Sequence, residues 1–240
     1  MSKNLKIFLG ASYLFILFYF LYLIFTAVEI NRLDDFTYYK EIQSDLETYI
    51  STNTIINLIY FFIFSVIWVT LLGFGSPILI ISGILFGQVI GTLISVFSIS
   101  IGALILYSIG NFFFRDLVKS ILEKKFNRYI ELFKKNEFFY FFIYRFIGGL
   151  GVPFGLQNLI PILFGMKKTN YFFASFFGFI PGFFIINTIG AGLNNYISEA
   201  DNFSMINFIF TPEIYLPIIM FSILMFFSII VKKKFFDDTN

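Results

Sequence analysis

Arg145 is the only Lys, Arg, Asp or Glu between Phe138 and Met166, in a stretch that is otherwise Phe, Ile, Leu and Gly. Two carboxamides, Gln157 and Asn158, follow it closely in the chain. A guanidinium offers five donors in a planar fork, and with amides beside it the natural ligand is an oxyanion such as a phosphate. The chain contains neither His nor Cys. Imidazole relays, thiol nucleophiles and Cys/His metal sites are therefore excluded. An arginine at the centre of a membrane helix costs ~2.5–3.5 kcal/mol on insertion scales, so such residues usually face a cavity, a partner or a ligand. Arg145 also lies only about two helical turns beyond Glu137, close enough to the interface for its side chain to snorkel. Two readings therefore stand: an anion-binding residue, for which the counter-charge is a carbonyl cluster, Glu137 or a lipid phosphate, or an interfacial anchor. Gln157 and Asn158, with Gln88 just after the first hairpin, can either hydrogen-bond a headgroup or satisfy a broken backbone, and the structural role is the plainer of the two; Asn111, Asn170 and Asn187 are weaker polar candidates.

The elements that must position these groups are membrane elements. The 240 residues are 58% hydrophobic and 13% charged with a mean hydropathy of +0.84, where a soluble domain carries about a quarter charged residues. Several apolar runs reach the ~20 residues that a bilayer-crossing helix needs. Helix breakers interrupt two of them. Gly73–Gly87 reads GFGSPILIISGILFG, and Gly149–Gly165 reads GLGVPFGLQNLIPILFG. Both have the form G-x-G-x-P, an apolar piece, then I-L-F-G, and each is followed by an apolar run with a late I-G at Ile109–Gly110 and Ile189–Gly190. The breakers Gly73, Gly75, Pro77, Gly87, Gly149, Gly151, Pro153, Gly165 and Pro181 are expected to turn the chain inside the bilayer. An ordinary kinked span in place of each hairpin is the plainer alternative.

Charge distribution tests this arrangement. Residues 29–53 hold two basic and six acidic side chains, with apolar residues at helical spacing, and read as an acidic interfacial helix. Residues 115–137 hold seven basic and four acidic side chains. They read as an amphipathic helix whose Lys119, Lys124, Lys125, Arg128, Lys134 and Lys135 either meet anionic lipid or act as a positive-inside topology signal. With basic clusters cytoplasmic and acidic segments outside, the first hairpin (55–87) enters from the outer side and the second (138–165) from the cytoplasm. The halves come out inverted, as in many transporters. The run Ile7–Val28 after Lys3 and Lys6 is too long for a signal-peptide core and is expected to be an uncleaved anchor.

The expected fold is an all-α polytopic membrane protein: an inverted repeat of two re-entrant helical hairpins, each followed by a spanning helix, plus N- and C-terminal spanning helices. Residues 1–53 form the anchor and the acidic helix, 54–197 the membrane core (halves 55–114 and 138–197, joined by the basic helix 115–137), and 198–240 the outer loop, last span and basic tail.

At these residues the chain resembles the VTT-domain family, also called SNARE-associated or DedA-like membrane proteins. The resemblance rests on Pro77, Gly83, Phe86, Gly87 and Gly91 in the first half. In the second half it rests on YRF with Arg145, PFGLQN with Pro153 and Asn158, and NYFFASFFGFIPG with Tyr171, Gly178, Pro181 and Gly182. It covers about residues 70–195 and implies oppositely oriented re-entrant hairpins and lipid handling, either phospholipid scrambling or return of a polyprenyl-phosphate carrier. The acidic residue near the first hairpin and the second arginine of many DedA-type members are both missing, and Gly148 stands where a proline is common. These departures point away from proton coupling and towards the eukaryote-like branch.

The expected function is lipid translocation, with Arg145, Gln157 and Asn158 meeting the headgroup. The partners are membrane lipids (anionic phospholipid or polyprenyl phosphate), with no nucleic acid, no cofactor and no metal, and a homo-oligomer is compatible with the pattern. The expected location is a bacterial inner (plasma) membrane with both termini cytoplasmic. An ion-coupled small-solute transporter and a non-transporting membrane-assembly scaffold are the competing classes; an enzyme is not expected, since no nucleophile–base pair or paired carboxylates lie at membrane depth.

Overall fold

The computed structural model describes residues 3–27, 36–72, 74–199 and 204–232; Gly73 lies outside them. The described residues are helical with short connections: α1 (Lys3–Ala27), α2 (Phe36–Thr52), α3 (Thr54–Leu72), α4 (Ser76–Lys135), α5 (Glu137–Phe146), α6 (Phe154–Leu159), α7 (Lys168–Glu199), α8 (Met205–Ile209) and α9 (Pro212–Lys232). Three of them are long and apolar enough to cross a membrane, over Thr54–Leu71, Ser76–Asp116 and Lys168–Glu199. Helices α1 and α9 carry shorter apolar stretches, Phe8–Leu23 and Pro212–Leu224.

Helix α3 shows why these are membrane helices. Asn57, Phe61, Ser65 and Val69 form a buried stripe at four-residue spacing, and Ile55, Ile59, Ile63 and Ile67 form an exposed one. In a soluble protein the outer stripe would be polar; a helix apolar on both faces belongs in lipid. Exposed Phe and Leu recur in the same way on α4 (Leu93, Phe97) and α7 (Phe173, Phe177).

The breakers act where glycine or proline is physically required. Pro77 sits in the first turn of α4, where its missing N–H is not needed. Ten residues later Gly87 adopts φ 72, ψ 179 and splits α4 into a short arm (76–86) and a long arm (88–135). The two arms run back along each other. The Ser82 and Ser95 hydroxyls are 2.7 Å apart across the bend, whereas a straight helix would separate them by about 20 Å. The backbone conformation of Gly87 is open essentially to glycine alone and costs other residues about 1–3 kcal/mol. A Cβ there would meet nothing within 4 Å. Gly87→Ala and Gly87→Leu should therefore lower the melting temperature in detergent by similar amounts. A leucine variant far worse than the alanine one would mean crowding, rather than backbone strain, sets the cost.

Two sequence expectations change. The basic segment 115–137 is not a separate helix: the long arm of α4 runs unbroken through Phe114 to Lys135. No Gly or Pro occurs between Asn111 and Lys135, so nothing stops the helix at the interface. At about 70 Å by helical rise it is far longer than a bilayer core is thick. Pro181 does not break its helix either; α7 continues through it, as membrane helices do where neighbours re-satisfy the freed carbonyl.

The core sits where α4 and α7 cross, with α3 packed on α4, α5 on α7 and α9 on α7. The crossing is backbone to backbone. A Cβ on Gly83 of the short arm would lie 2.2 Å from the Asn187 carbonyl oxygen, and one on Gly190 of α7 would lie 2.3 Å from that of Ile80. Small residues give such helices their close approach, and with it the dispersion contacts that hold apolar helices together in lipid.

Candidate functional site

The Asn136 side chain caps α5, accepting a hydrogen bond from the Phe139 N–H at 3.3 Å. Helical spacing then puts Phe141 and Arg145 on one face, and both are buried. The chain leaves the helix at Ile147 and passes through a 3-10 turn, Gly148–Gly151, in which Gly148, Gly149 and Gly151 have positive φ. Pro153 starts α6, which carries Gln157 and Asn158 back towards Arg145. A side chain at position 149 is disfavoured by its φ of +72, and its Cβ, 2.1 Å from the Gln157 carboxamide carbon, would push that amide off its hydrogen bonds.

The three residues singled out by the sequence come together. One terminal guanidinium nitrogen of Arg145 donates to Gln157 Oε1 at 3.1 Å, and the other donates to Asn158 Oδ1 at 2.6 Å and to the Tyr171 hydroxyl at 3.0 Å. The Tyr171 hydroxyl in turn donates to Asn158 Oδ1 at 3.3 Å. Gln157 uses its NH2 group on the broken backbone, donating to the carbonyls of Val152 at 2.6 Å and Gly148 at 3.4 Å. Non-helical backbone buried away from water needs such partners. Four aromatic rings enclose the cation, with Phe141 and Phe179 each 4.7 Å from the guanidinium carbon, Phe154 at 5.5 Å and Tyr171 at 5.7 Å.

Arg145 does not snorkel, being only 3% exposed. Among the described residues it is the one charged side chain in the buried set, which contains no carboxylate. Glu137 is occupied elsewhere, accepting from Asn170 Nδ2 at 2.6 Å and from the Lys167 N–H at 3.2 Å. Hydrogen bonds to a charged group contribute about 1.5–3 kcal/mol each, and a desolvated cation–π contact about 2 kcal/mol. These offset the insertion cost of the arginine, whose charge is met by dipoles and ring faces. Within this cluster Arg145 Nε and Asn158 Nδ2 are buried donors without a protein acceptor; the hydroxyls of Tyr144, Ser100 and Ser175 are buried without a partner as well.

A second, uncharged cluster lies at the short arm of α4. The Ser82 hydroxyl donates to Asn187 Oδ1 and is paired with Ser95, and Asn187 Nδ2 donates to the Phe183 carbonyl at 2.8 Å. Gln88 lies beside Thr188 at 3.5 Å, while buried Asn111 Oδ1 has no hydrogen-bond partner. Of the lysines read as a lipid-facing surface, Lys134 and Lys135 are exposed at the end of α4; the side chains of Lys119, Lys124, Lys125 and Arg128 lie outside what the structure describes.

Sequence reasoning did not assign Tyr171, Phe141, Phe154 or Phe179 to the site, nor Tyr107. The Tyr107 ring stacks on Tyr171 at 4.5 Å and its hydroxyl donates to the Met166 carbonyl at 2.7 Å. With 39 Phe and 14 Tyr in the chain, aromatic identity carries no local signal. Only the i, i+4 placement of Phe141 before Arg145 could have been read.

Apolar helices with a backbone broken twice, packed around one buried cation, define an integral all-α membrane protein. The VTT domain matches residues 63–192, more than half of the chain; the chain belongs to that family. No curated protein and no solved structure matches it.

Proposed function

We propose that this protein lets lipid headgroups cross the bilayer along its two broken segments, without an energy source, while acyl chains remain in the surrounding lipid. The observation that carries the reading is the buried Arg145. It is a cation whose hydrogen-bond acceptors are all neutral, and it has unspent donors at its own Nε and at Asn158 Nδ2. A phosphate is the group such a site would favour. Anionic phospholipid and polyprenyl phosphate both carry one.

The architecture that serves this function is a pair of re-entrant hairpins inverted in the membrane. Helix α5 has 10 residues and α6 has 6, about 15 and 9 Å, against a hydrocarbon core of about 30 Å. Neither can cross, so the segment is read as going in and returning. The halves also repeat in detail. Ser82, five residues past Pro77, pairs with Ser95; Asn158, five past Pro153, pairs with Tyr171; both pairs are 13 residues apart. Packing is reciprocal between halves. A Cβ on Gly110, on the first long helix, would meet Leu159 and Ile162 of the second broken segment, and one on Gly190, on the second long helix, would meet Ile80 of the first. Helix α3 is itself long enough to span, so the first hairpin has one long and one short arm. In this reading both termini are cytoplasmic and the membrane is a bacterial inner membrane.

Ion coupling is disfavoured by the lack of a buried carboxylate among the described residues. The test is the purified protein in liposomes with a fluorescent phospholipid, dithionite being added outside. Quenching well beyond half of the label, unchanged by proton or sodium ionophores, is expected. Quenching that stops at half would exclude passive passage of that lipid, and a rate that collapses with the gradient would point to a coupled transporter.

A further inference from the structure

Where the second broken segment rejoins α7, beside the turn at Gly165, lies a cavity of about 400 Å³ that contains neither Arg145 nor its partners in its lining. Lys134 and Lys135 from the end of α4 and Lys167 just before α7 line it, together with Phe138 and Phe164. Among the described residues, Glu137 is the one acidic residue in the lining. Its carboxylate already accepts the Asn170 amide and the Lys167 backbone N–H. It therefore braces α5 against α7, and three lysines stand in the lining against this one carboxylate. The aromatic side is firm: Phe164 stacks on Phe133 with ring centroids 4.2 Å apart.

We infer that this cavity is a phosphate dock for lipid headgroups, taking a phosphomonoester against Lys134, Lys135 and Lys167 with the glycerol and first methylenes on Phe138 and Phe164. Lysines bind phosphate as mobile point charges, so three of them favour a dianionic group over a zwitterionic one, in a salt-dependent way. The aromatic wall is what favours a lipid over a free phosphate ion, since inorganic phosphate gains nothing from phenyl rings. Nor is the charge a general property of such turns. The cavity at the Gly87 turn, of about 280 Å³, has Glu47, Asn194 and Asn195 in its lining and no Lys or Arg among the described residues. The two mouths thus differ in charge, and the dock would load dianionic lipid at one of them only. This inference rests on the lipid-handling reading for the source of its ligand, but not for the binding itself.

The experiment therefore measures binding without transport. Full-length protein in a neutral detergent is titrated calorimetrically with dioctanoyl phosphatidic acid, dioctanoyl phosphatidylcholine and inorganic phosphate. Phosphatidic acid is expected to bind at least tenfold more tightly than either of the others, and more weakly at high salt. The variant Lys134→Gln/Lys135→Gln/Lys167→Gln keeps the Lys167 backbone N–H that Glu137 needs. It should melt like the wild type without ligand and lose at least tenfold in phosphatidic acid affinity. Equal binding of phosphatidic acid and phosphatidylcholine, or an unchanged affinity in the triple variant, would overturn the dock. Inorganic phosphate binding as tightly as phosphatidic acid would overturn its assignment to lipid. A protein that moves no lipid yet binds in this way would retain the dock and lose only the function proposed above.

Discussion

Arg145→Gln is expected to stay folded and to lose at least tenfold in lipid passage, whereas Arg145→Met should lose both passage and stability. The difference follows from the hydrogen bonds. Removing the guanidinium leaves Gln157 Oε1 without its donor, while Asn158 Oδ1 keeps the Tyr171 hydroxyl. A buried acceptor left bare costs about 1–3 kcal/mol, which methionine cannot offset by packing alone. A glutamine amide can donate to that acceptor and restores most of the loss, but it carries no charge. Arg145→Lys keeps the charge without the planar fork and should retain partial activity. Thermal unfolding in detergent and dithionite quenching in liposomes separate the two roles. If Arg145→Gln moved lipid as fast as the wild type, Arg145 would be a brace between α5, α6 and α7 and nothing more.

Gly83→Val should be the most damaging single change outside the site, with a loss of about 3 kcal/mol or more. The Cβ would lie 2.2 Å from the Asn187 carbonyl oxygen and 3.0 Å from its Cα. These are backbone atoms of α7, so no rotamer change makes room; the short arm and α7 must separate. That separation also breaks the Ser82–Asn187 bond and exposes both groups. Gly182→Ala on the same α7 is the matched control. Nothing lies within 4 Å of a Cβ there, and Ala is better than Gly in a helix by about 0.8–1 kcal/mol. Melting temperatures should fall sharply for Gly83→Val and hold or rise for Gly182→Ala. A Gly83→Val protein that melts like the wild type would mean that this crossing is not where the helices are held.

Much of this was legible in the sequence, for identifiable reasons. The membrane class follows from the lengths of the apolar runs. The breaks at Gly87 and at 147–153 follow from glycines and a proline that helices do not tolerate without cause. The meeting of Arg145 with Gln157 and Asn158 is nearly local, because a short turn between two short helices leaves few other arrangements. Tyr171 was not legible as a partner, because its contact depends on where α7 packs, and its hydroxyl looks like any other among 14 tyrosines. The Ser82–Ser95–Asn187 cluster escaped for the same reason, joining residues across the bend and across the two halves. The extension of α4 through 115–135 is not legible in the charge pattern, because charge marks an interface, while only a breaker or cap marks a helix end. No breaker is there.

A path for headgroups needs a mouth on each face of the membrane, so the two broken segments must enter it from opposite sides. The absence of cysteine from the chain makes this directly measurable. Gln88 beside the first turn and Lys168 just after the second are both exposed, and each is replaced singly by cysteine in otherwise unaltered protein. Intact cells or sealed inside-out vesicles are then treated with a membrane-impermeant maleimide. Gln88→Cys should be labelled only from the outer face and Lys168→Cys only from the cytoplasmic face. Labelling of both from the same face would contradict the inverted arrangement and the lipid path built on it.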